Sequence, residues 1–434
     1  MSGSGYGTVA SVFAPGAVGA PVRLRGWVLR SRSSGGILFL LLRDRTGVVQ
    51  VTGRKDALGP ETFDAVEHVQ VEGAVAVEGT VAEDPRAPGG REVRAARFTI
   101  IDPGAPFPIF ADQTEEFRLD KRHLAIRSQD FVATFRLKAE LLRAFREFLD
   151  AENVLEVTPP ILSGNAAEGG AEAFRFDYFG RPAYLSQTAQ LYLEALLFPH
   201  ERVYSLTPSF RAEKSRTPRH LTEYQHLEVE LAWCDLAGLL DFIERMVVYA
   251  AHALAERRPG ELAQLGRPPA ELAALAAPFP RITYAEAIDR LQAQGLPVRW
   301  GTDLATAEER ALTVEATAPL FVTHFPRELK AFYMLRSESD PRTVDAADLL
   351  APEGYGEIVG ASCRETDLAR LEERLAEAGA DRRDYEWYLD LRRHGSVPHA
   401  GFGIGVERML RWMLRREHIR ETTPFPRTPS RHTP

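Results

Sequence analysis

The 434-residue sequence predicts an α+β chain in which a small β-barrel precedes a larger domain of helices and hairpin strands. Three observations carry that prediction. Five short runs with strand character fall within about the first 100 residues. A helix-spaced apolar stripe follows at 131–152 and runs into a strand that stops at proline. A long strand–loop–strand hairpin then occupies 203–231, with charged side chains crowded near its turn.

The bulk numbers set limits on what the chain does. Hydrophobic residues make up 44% and charged residues 26%, the ordinary balance of a globular protein. No apolar run reaches the length of a membrane span, and Met1–Gly5 lacks the basic-then-apolar layout of a signal peptide. Two unpaired-looking cysteines, Cys234 and Cys363, argue against a disulfide framework or structural zinc, so a cytoplasmic setting is expected. The net charge of −8 is not that of a nucleic-acid binder as a whole, but phosphate contacts need only one positive face.

Residues 22–54 supply such a face: Arg23, Arg25, Arg30, Arg32, Arg43, Arg45 and Arg54 stand against the single acid Asp44. Trp27 and Phe39 are interleaved with them. Strands are expected at Val22–Leu29, Ile37–Leu42, Val48–Thr52, Val71–Val81 and Arg91–Ile101, which matches an oligonucleotide-binding barrel. Its function would be to stack unpaired bases on Phe39 while arginines hold phosphates. A plain barrel with an arginine-rich rim remains the alternative.

After a Pro- and Phe-rich linker, Phe131–Glu152 carries a stripe of Phe131, Phe135, Leu137, Leu141, Leu142, Phe145, Phe148 and Leu149. With the strand Val154–Val157 it serves either a dimer seam or ordinary core. Ser163–Glu172 is a small-residue loop around Glu168, and Ser186, Gln187 and Gln190 open the next helix, where polar side chains can meet a substrate. The hairpin holds Arg211, Glu213 and His220 near its turn. Arg211 offers a rigid fork of donors to phosphate oxygens, and Tyr224 offers a face to a purine ring. A solvated surface hairpin is the bland alternative.

Further on, Leu236–Ala255 is an amphipathic helix, Arg257–Arg281 a small helical insertion, and Phe321–Pro326 and Phe332–Leu335 strands. Asp348 and Glu357 bracket a short connection and can share Mg²⁺ through oxygen ligands. In Gly401–Arg408, Gly403 and Gly405 permit close approach of a ligand to the backbone, and Arg408 points a cation at it.

The order and spacing of these stretches resemble the class II aminoacyl-tRNA synthetases, subclass IIb, which activates Asp, Asn and Lys. Phe131–Pro160 resembles motif 1, F-R-A-E at 210–213 with R-H-L at 219–221 motif 2, and G-F-G-I-G-V-E-R at 401–408 motif 3. The resemblance implies an anticodon-binding barrel at 1–103, a hinge at 104–130, and a catalytic domain at 131–434 with an antiparallel sheet flanked by helices and the insertion near 257–281. It further implies ATP as substrate, Mg²⁺ as cofactor and a homodimer. Position by position, Arg211 would hold the α-phosphate, Glu213 would lie by the adenine, and His220 and Arg408 would grip the γ-phosphate. Tyr224 and Gly405 would complete the ATP site, with Asp348 and Glu357 on the metal. Glu168, Ser186, Gln190, Glu228 and Arg364 would bind the amino acid. In the barrel, Phe39 and Gln50 match the pair for the central anticodon base, flanked by Trp27, Arg30 and Arg32.

Asparagine and aspartate have nearly the same shape, so the pocket must choose by charge and hydrogen-bond polarity. Aspartate enzymes of this subclass place a lysine where this chain has Leu193, followed by Glu194, and an aspartate where it has Glu228. Both differences, with stretches such as A-P-E-G-Y-G-E-I and P-F-P-R-T-P, resemble the asparagine-activating branch, whose partners are L-asparagine and tRNA-Asn. An aspartate enzyme that also charges tRNA-Asn, a tRNA-independent asparagine synthetase on the same fold and a non-catalytic paralogue are the alternatives. The family's G-G-S-Q-R reads here Gly360-Ala361-Ser362-Cys363-Arg364, a departure expected to fall close to the pocket.

Overall fold

The computed structural model describes residues 5–110, 112–164, 173–214 and 217–434. The chain divides into two compact units, Met1–Thr114 and Glu115–Pro434.

The first unit is a closed five-stranded barrel of β1 (Pro21–Ser34), β2 (Ile37–Asp44), β3 (Gly47–Arg54), β4 (Ala74–Glu83) and β5 (Arg91–Asp102), in the order β1-β2-β3-β5-β4. Alternation decides its two sides. Leu38, Leu40 and Leu42 of β2 and Val49 and Val51 of β3 are fully buried, while Phe39, Leu41 and Gln50 between them face outward. Gly35 and Gly36, both at positive φ, make the tight β1–β2 turn. A helix the strand pattern did not reveal, Pro60–Glu67, plugs the barrel with Phe63 and Val66.

The second unit is built on an eight-stranded sheet. Its strands are β6 (Leu155–Glu156), β10 (Arg202–Phe210), β11 (Glu223–Ala232), β12 (Arg281–Thr283), β13 (Leu320–Thr323), β14 (Ala346–Ala351), β15 (Gly356–Cys363) and β16 (His399–Gly405). They run in the order β12-β13-β14-β15-β16-β11-β10-β6, antiparallel from β13 to β10. A small sheet of β7 (Leu162–Ser163), β8 (Arg175–Tyr178) and β9 (Arg181–Leu185) stands apart. The helices Gln129–Ala151 and Leu236–Arg257 bury Leu137, Leu141, Phe145, Leu240, Ile243 and Val247 in one core against the sheet. On the opposite face, apolar clusters cover the two ends, Leu320, Val322 and Leu350 at one and Val203 with Leu193 and Leu197 at the other, and the middle strands are left for polar side chains. Phe131 and Phe135 lie outside that core, stacked on each other at 5.8 Å and only half-buried.

The expected strand at Phe332–Leu335 does not form. Its aromatics are instead core residues of a turn segment, tied to the end of β15 by the isolated bridge Met334–Arg364 and by the Leu335 N–H donating to the Cys363 carbonyl at 3.0 Å. The residues after Arg257 form two short helices, Pro259–Gln264 and Pro269–Ala273. The C-terminal segment is fastened by Arg122, which donates to the carbonyls of Arg420, Thr423 and Pro424 at 2.6–2.7 Å. That hold lets Thr222, just before β11, donate its N–H to the Arg427 carbonyl at 2.9 Å.

One buried contact joins the long helix to the sheet and to the helix Val406–Met413. Lys138 donates to Glu407 Oε1 at 2.6 Å, and Glu407 Oε2 accepts from the Gln225 N–H at 3.0 Å. Glu407→Gln leaves the Lys138 ammonium buried without a counter-charge. Urea unfolding followed by tryptophan fluorescence should show a loss on the order of 3 kcal/mol. Lys138→Met combined with Glu407→Gln should recover part of it.

Candidate active site and barrel face

The polar face of the sheet forms the wall of a cavity of about 690 Å³. Three strands meet there in register. Glu230, Gly401 and Ser362 make one row across β11, β16 and β15, and Glu228, Gly403 and Gly360 make the next, extended by Asp348 on β14. Because β16 presents only glycine in these rows, side chains of β11 lie across it. A Cβ at Gly401 would collide with the Glu230 carboxylate, and one at Gly403 would stand 2.5 Å from His226 Nε2. Gly403 therefore makes room for a neighbouring histidine, and both residues line the cavity. At Gly405, immediately before the helix, the nearest neighbour to a Cβ is Arg408 at 3.6 Å.

The open part of the cavity gathers cations. Arg211 holds its guanidinium 5.9 Å from the Tyr224 ring centre and its Nη1 3.8 Å from Glu213 Oε1. Glu213 Oε2 is 3.7 Å from His220 Nε2, and His220 Nδ1 pairs with the Thr217 hydroxyl. Burial, with Arg408, Arg219 and Arg211 around it, brings the His220 imidazole down to about 4, so the ring is neutral near pH 7. Arg408 donates through Nη1 to Glu357 Oε2 at 3.0 Å.

Two carboxylates flank the glycine row. The β14–β15 pairing slips by one residue between Leu349 and Leu350, so Ile358 is bulged out of the ladder. That slip turns Glu357 to the same side as Asp348. A Cβ at Gly360 would sit 3.3 Å from Glu357 Oε1 and 3.9 Å from Asp348 Oδ1. Lys330 Nζ donates to both Asp348 oxygens at 2.6 and 2.9 Å. Burial raises Asp348 to about 6, with Glu357 adding to the rise and Lys330 opposing it. Burial also works against ionised Glu357, but Arg408 and Lys330 hold it down at about 2. Two hard oxygen donors with no side chain between them suit a divalent cation whose remaining positions are filled by phosphate and water. Among the described residues no group of three or more His, Cys, Asp or Glu is placed to hold a metal ion.

The closed end is acidic and densely paired. Arg364 donates to Glu230 at 2.5 and 3.3 Å and to Ser362 Oγ at 2.6 Å. Glu228 accepts from the Ala189 N–H at 2.8 Å and from the Thr188 hydroxyl, at the start of the helix Gln190–His200. Gln190 donates to Glu194 at 2.9 Å, and Glu194 also receives Arg392, Tyr388 and His399. Burial disfavours its charge, yet Arg392 and His399 hold Glu194 well below the usual carboxylate range. Burial moves Glu230 the other way, up to about 7, with Glu194 adding and Arg364 opposing.

Several sequence expectations shift here. Glu168 lies outside the described residues. Ser186 is buried, but its hydroxyl donates to the Thr188 carbonyl at 2.7 Å and does not line the cavity. Leu193 is fully buried with Ala189, Leu197 and Val203, away from the cavity. Cys363 sits in the apolar core behind the sheet, its thiol pushed up by burial to about 12, and does not border the cavity. Ala361 belongs to that same core and also touches the cavity edge. Glu230, Lys330 and Arg392 were not singled out in the sequence. For Glu230 the signal was available: Tyr224, His226, Glu228 and Glu230 alternate along one strand and so share a face.

The barrel gathers its candidates on one outer face. A bulge between Val28 and Arg30 resets the alternation of β1, so Trp27, Arg30 and Arg32 are all exposed on the same side. Arg32 lies opposite Phe39, its guanidinium 4.8 Å from the ring centre, and Arg43 stands 5.7 Å from Trp27. Gln50 is one strand over, donating to Glu92 at 3.1 Å.

Comparison with known proteins agrees with this two-part layout. Residues 114–429 match the family model "tRNA synthetases class II (D, K and N)", and residues 22–101 match "OB-fold nucleic acid binding domain". The asparagine–tRNA ligase of Thermococcus gammatolerans is 50% identical over 96% of both chains, and that of Thermoplasma acidophilum 43% over 98% of this chain and all of its own. The crystal structure of asparaginyl-tRNA synthetase from Pyrococcus horikoshii with asparaginyl-adenylate superposes with a TM-score of 0.96 at 49% identity, covering 99% of both chains. The aspartyl-tRNA synthetase of Entamoeba histolytica, at 25% identity and TM-score 0.85, covers 99% of this chain and 93% of its own. The chain therefore belongs to the class II tRNA synthetases, and within them to the asparagine–tRNA ligase family.

Proposed function

We propose that the chain activates L-asparagine with ATP and transfers the asparaginyl group to tRNA-Asn. The observation that carries this reading is one cavity with a cation-rich open part and a closed acidic end, the two joined by a row of glycines. In the first step the asparagine α-carboxylate attacks the α-phosphorus of ATP in line, and the bond to pyrophosphate breaks as the adenylate forms. The terminal 3′-hydroxyl of the tRNA then attacks the activated carbonyl and AMP leaves. No protein nucleophile is needed, so catalysis rests on positioning and charge neutralisation.

Arg211 is the donor for the α-phosphate, and Arg408 and the neutral His220 meet the γ-phosphate. Glu213, Tyr224 and Gly405 frame the nucleotide. Asp348 and Glu357 would hold Mg²⁺, which would supply neutralisation of phosphate charge. Lys330 must then share Asp348 with the cation. Gln190, Glu228 and Arg364 surround the amino acid.

Selection of asparagine over aspartate follows from donors already engaged. Arg364 donates to Glu230 and Ser362, and Glu228 adds a second carboxylate, so a substrate carboxylate finds no unengaged cation beside it. A neutral amide meets no such penalty, and its NH₂ finds an acceptor. On the barrel, Phe39 and Gln50 receive the central anticodon base, with Trp27, Arg30 and Arg32 alongside. A homodimer is supported by the half-buried Phe131–Phe135 stack and by Leu155, 46% exposed on the edge strand β6.

ATP–pyrophosphate exchange should proceed with asparagine and stay at background with aspartate; exchange with aspartate of similar rate would remove the charge argument. Phe39→Ala should raise KM for tRNA-Asn about tenfold, the loss of roughly 1–3 kcal/mol of stacking, while tRNA-free exchange is unchanged. An NMR titration should find the His220 ring neutral from pH 8 down to about 5. Its depressed value means the unfolded chain takes up a proton that the folded one refuses, so stability falls as pH drops from about 6.5 toward 4. Arg408→Gln should move the His220 midpoint upward.

A further inference from the structure

Glu309 belongs to the helix Thr306–Thr313, outside every stretch that lines the cavity, and is 4% exposed. Its carboxylate pairs with Arg219 Nη1, and its Oε2 accepts the backbone N–H of Glu357 at 2.9 Å. The Glu357 side chain accepts from Arg408 at 3.0 Å, and Arg408 Nε donates to the Arg219 carbonyl at 3.3 Å. Four residues thus close a ring. Arg219 comes from the hairpin turn, Glu357 from β15 and Arg408 from the helix after β16, all three on the cavity wall.

The ring is tight enough to exclude a side chain from its neighbour. Gly356 stands at φ +80°, and a Cβ there would come within 2.5 Å of Glu309 Oε2 and 2.7 Å of Arg219 Nη1. Arg219 is itself 11% exposed, and its Nε has no hydrogen-bond partner among the described residues. Without Glu309, the guanidinium most able to satisfy itself by turning would turn toward Glu357, the next carboxylate in the ring.

We propose that Glu309 is a positioning residue for the phosphate end of the site. It occupies the charge of Arg219 and aims the Glu357 backbone, so that the Glu357 carboxylate stays available to the nucleotide and its cation. The proposal rests on the ATP reading above. A helix held to a sheet by a mere packing contact would, on weakening, lower stability and disturb both substrates alike. A positioning role separates them, because the asparagine end is built on Glu228, Glu230 and Arg364 and shares no member with the ring.

The test compares the parent with Glu309→Gln and Glu309→Asp. Calorimetry reads the dissociation constants of ATP with Mg²⁺ and of asparagine separately, and pyrophosphate exchange reads the two KM values. Glu309→Gln should weaken ATP about tenfold with asparagine within twofold, and Glu309→Asp should restore part of the difference. Arg219→Gln added to Glu309→Gln should cost little more than the worse single change. Unchanged ATP binding, or equal losses for both substrates, would overturn the proposal. If Glu309→Gln lacks the parent's circular dichroism, Glu309→Asp carries the same comparison with the charge kept. A parent that binds ATP yet exchanges nothing with asparagine would sink the catalytic reading while leaving the calorimetric comparison of Glu309 intact.

Discussion

The geometry of the catalytic unit hangs on the ionised carboxylate of Glu407. One oxygen takes the Lys138 ammonium from the long helix and the other takes the Gln225 N–H from β11. A buried charge is tolerable only when its hydrogen-bonding capacity is met with good geometry. The long helix, β11 and the helix after β16 therefore have little freedom to slide past one another. Arg408 is the next residue along, so its direction into the cavity is inherited from that clamp. Tyr224 and His226, on either side of Gln225, inherit theirs in the same way.

The rest of the cavity repeats the same device at smaller scale. Asp348 is met by Lys330, Glu357 by Arg408, Glu309 by Arg219, Glu230 by Arg364 and Glu194 by Arg392. Such pairs contribute little net stability, because desolvation offsets much of their attraction. What they provide is a set of directions fixed before any substrate arrives. Donors directed in advance need no large rearrangement to meet an incoming charge, which is how a preorganised site stabilises it. At the closed end, on the reading proposed above, the same matching would work by refusal, since a cation already satisfied has less to offer a second carboxylate.

Much of this was legible in the residues. The alternation of Leu38, Leu40, Val49 and Val51 with Phe39 and Gln50 marked both the barrel and its outer face. The stripe from Leu137 to Leu149 marked the long helix, and Arg211, His220 and Arg408, singled out in the sequence, all line one cavity. What escaped were contacts between residues distant in sequence. Nothing local links Glu194 to Arg392 or Glu309 to Arg219, and each pairing exists only once the sheet is assembled. Cys363 misled for a related reason: linear nearness to site residues says nothing of which side of a strand a residue occupies. Phe332–Leu335 had the composition of a strand, but its aromatics were claimed by a cluster with Tyr385 and Tyr388.

The slipped pairing at Ile358 has a bearing on how this sequence can change over time. Side chains on a strand alternate, so the count of residues between Gly356 and Gly360 decides which side Glu357 occupies. Loss or gain of one codon in that interval would exchange Glu357 with a neighbour and send the carboxylate into the apolar core. The turn at 352–355, beyond the last paired residues, is under no such arithmetic. A change of length between Gly356 and Gly360 is therefore excluded, and that interval tolerates substitution alone.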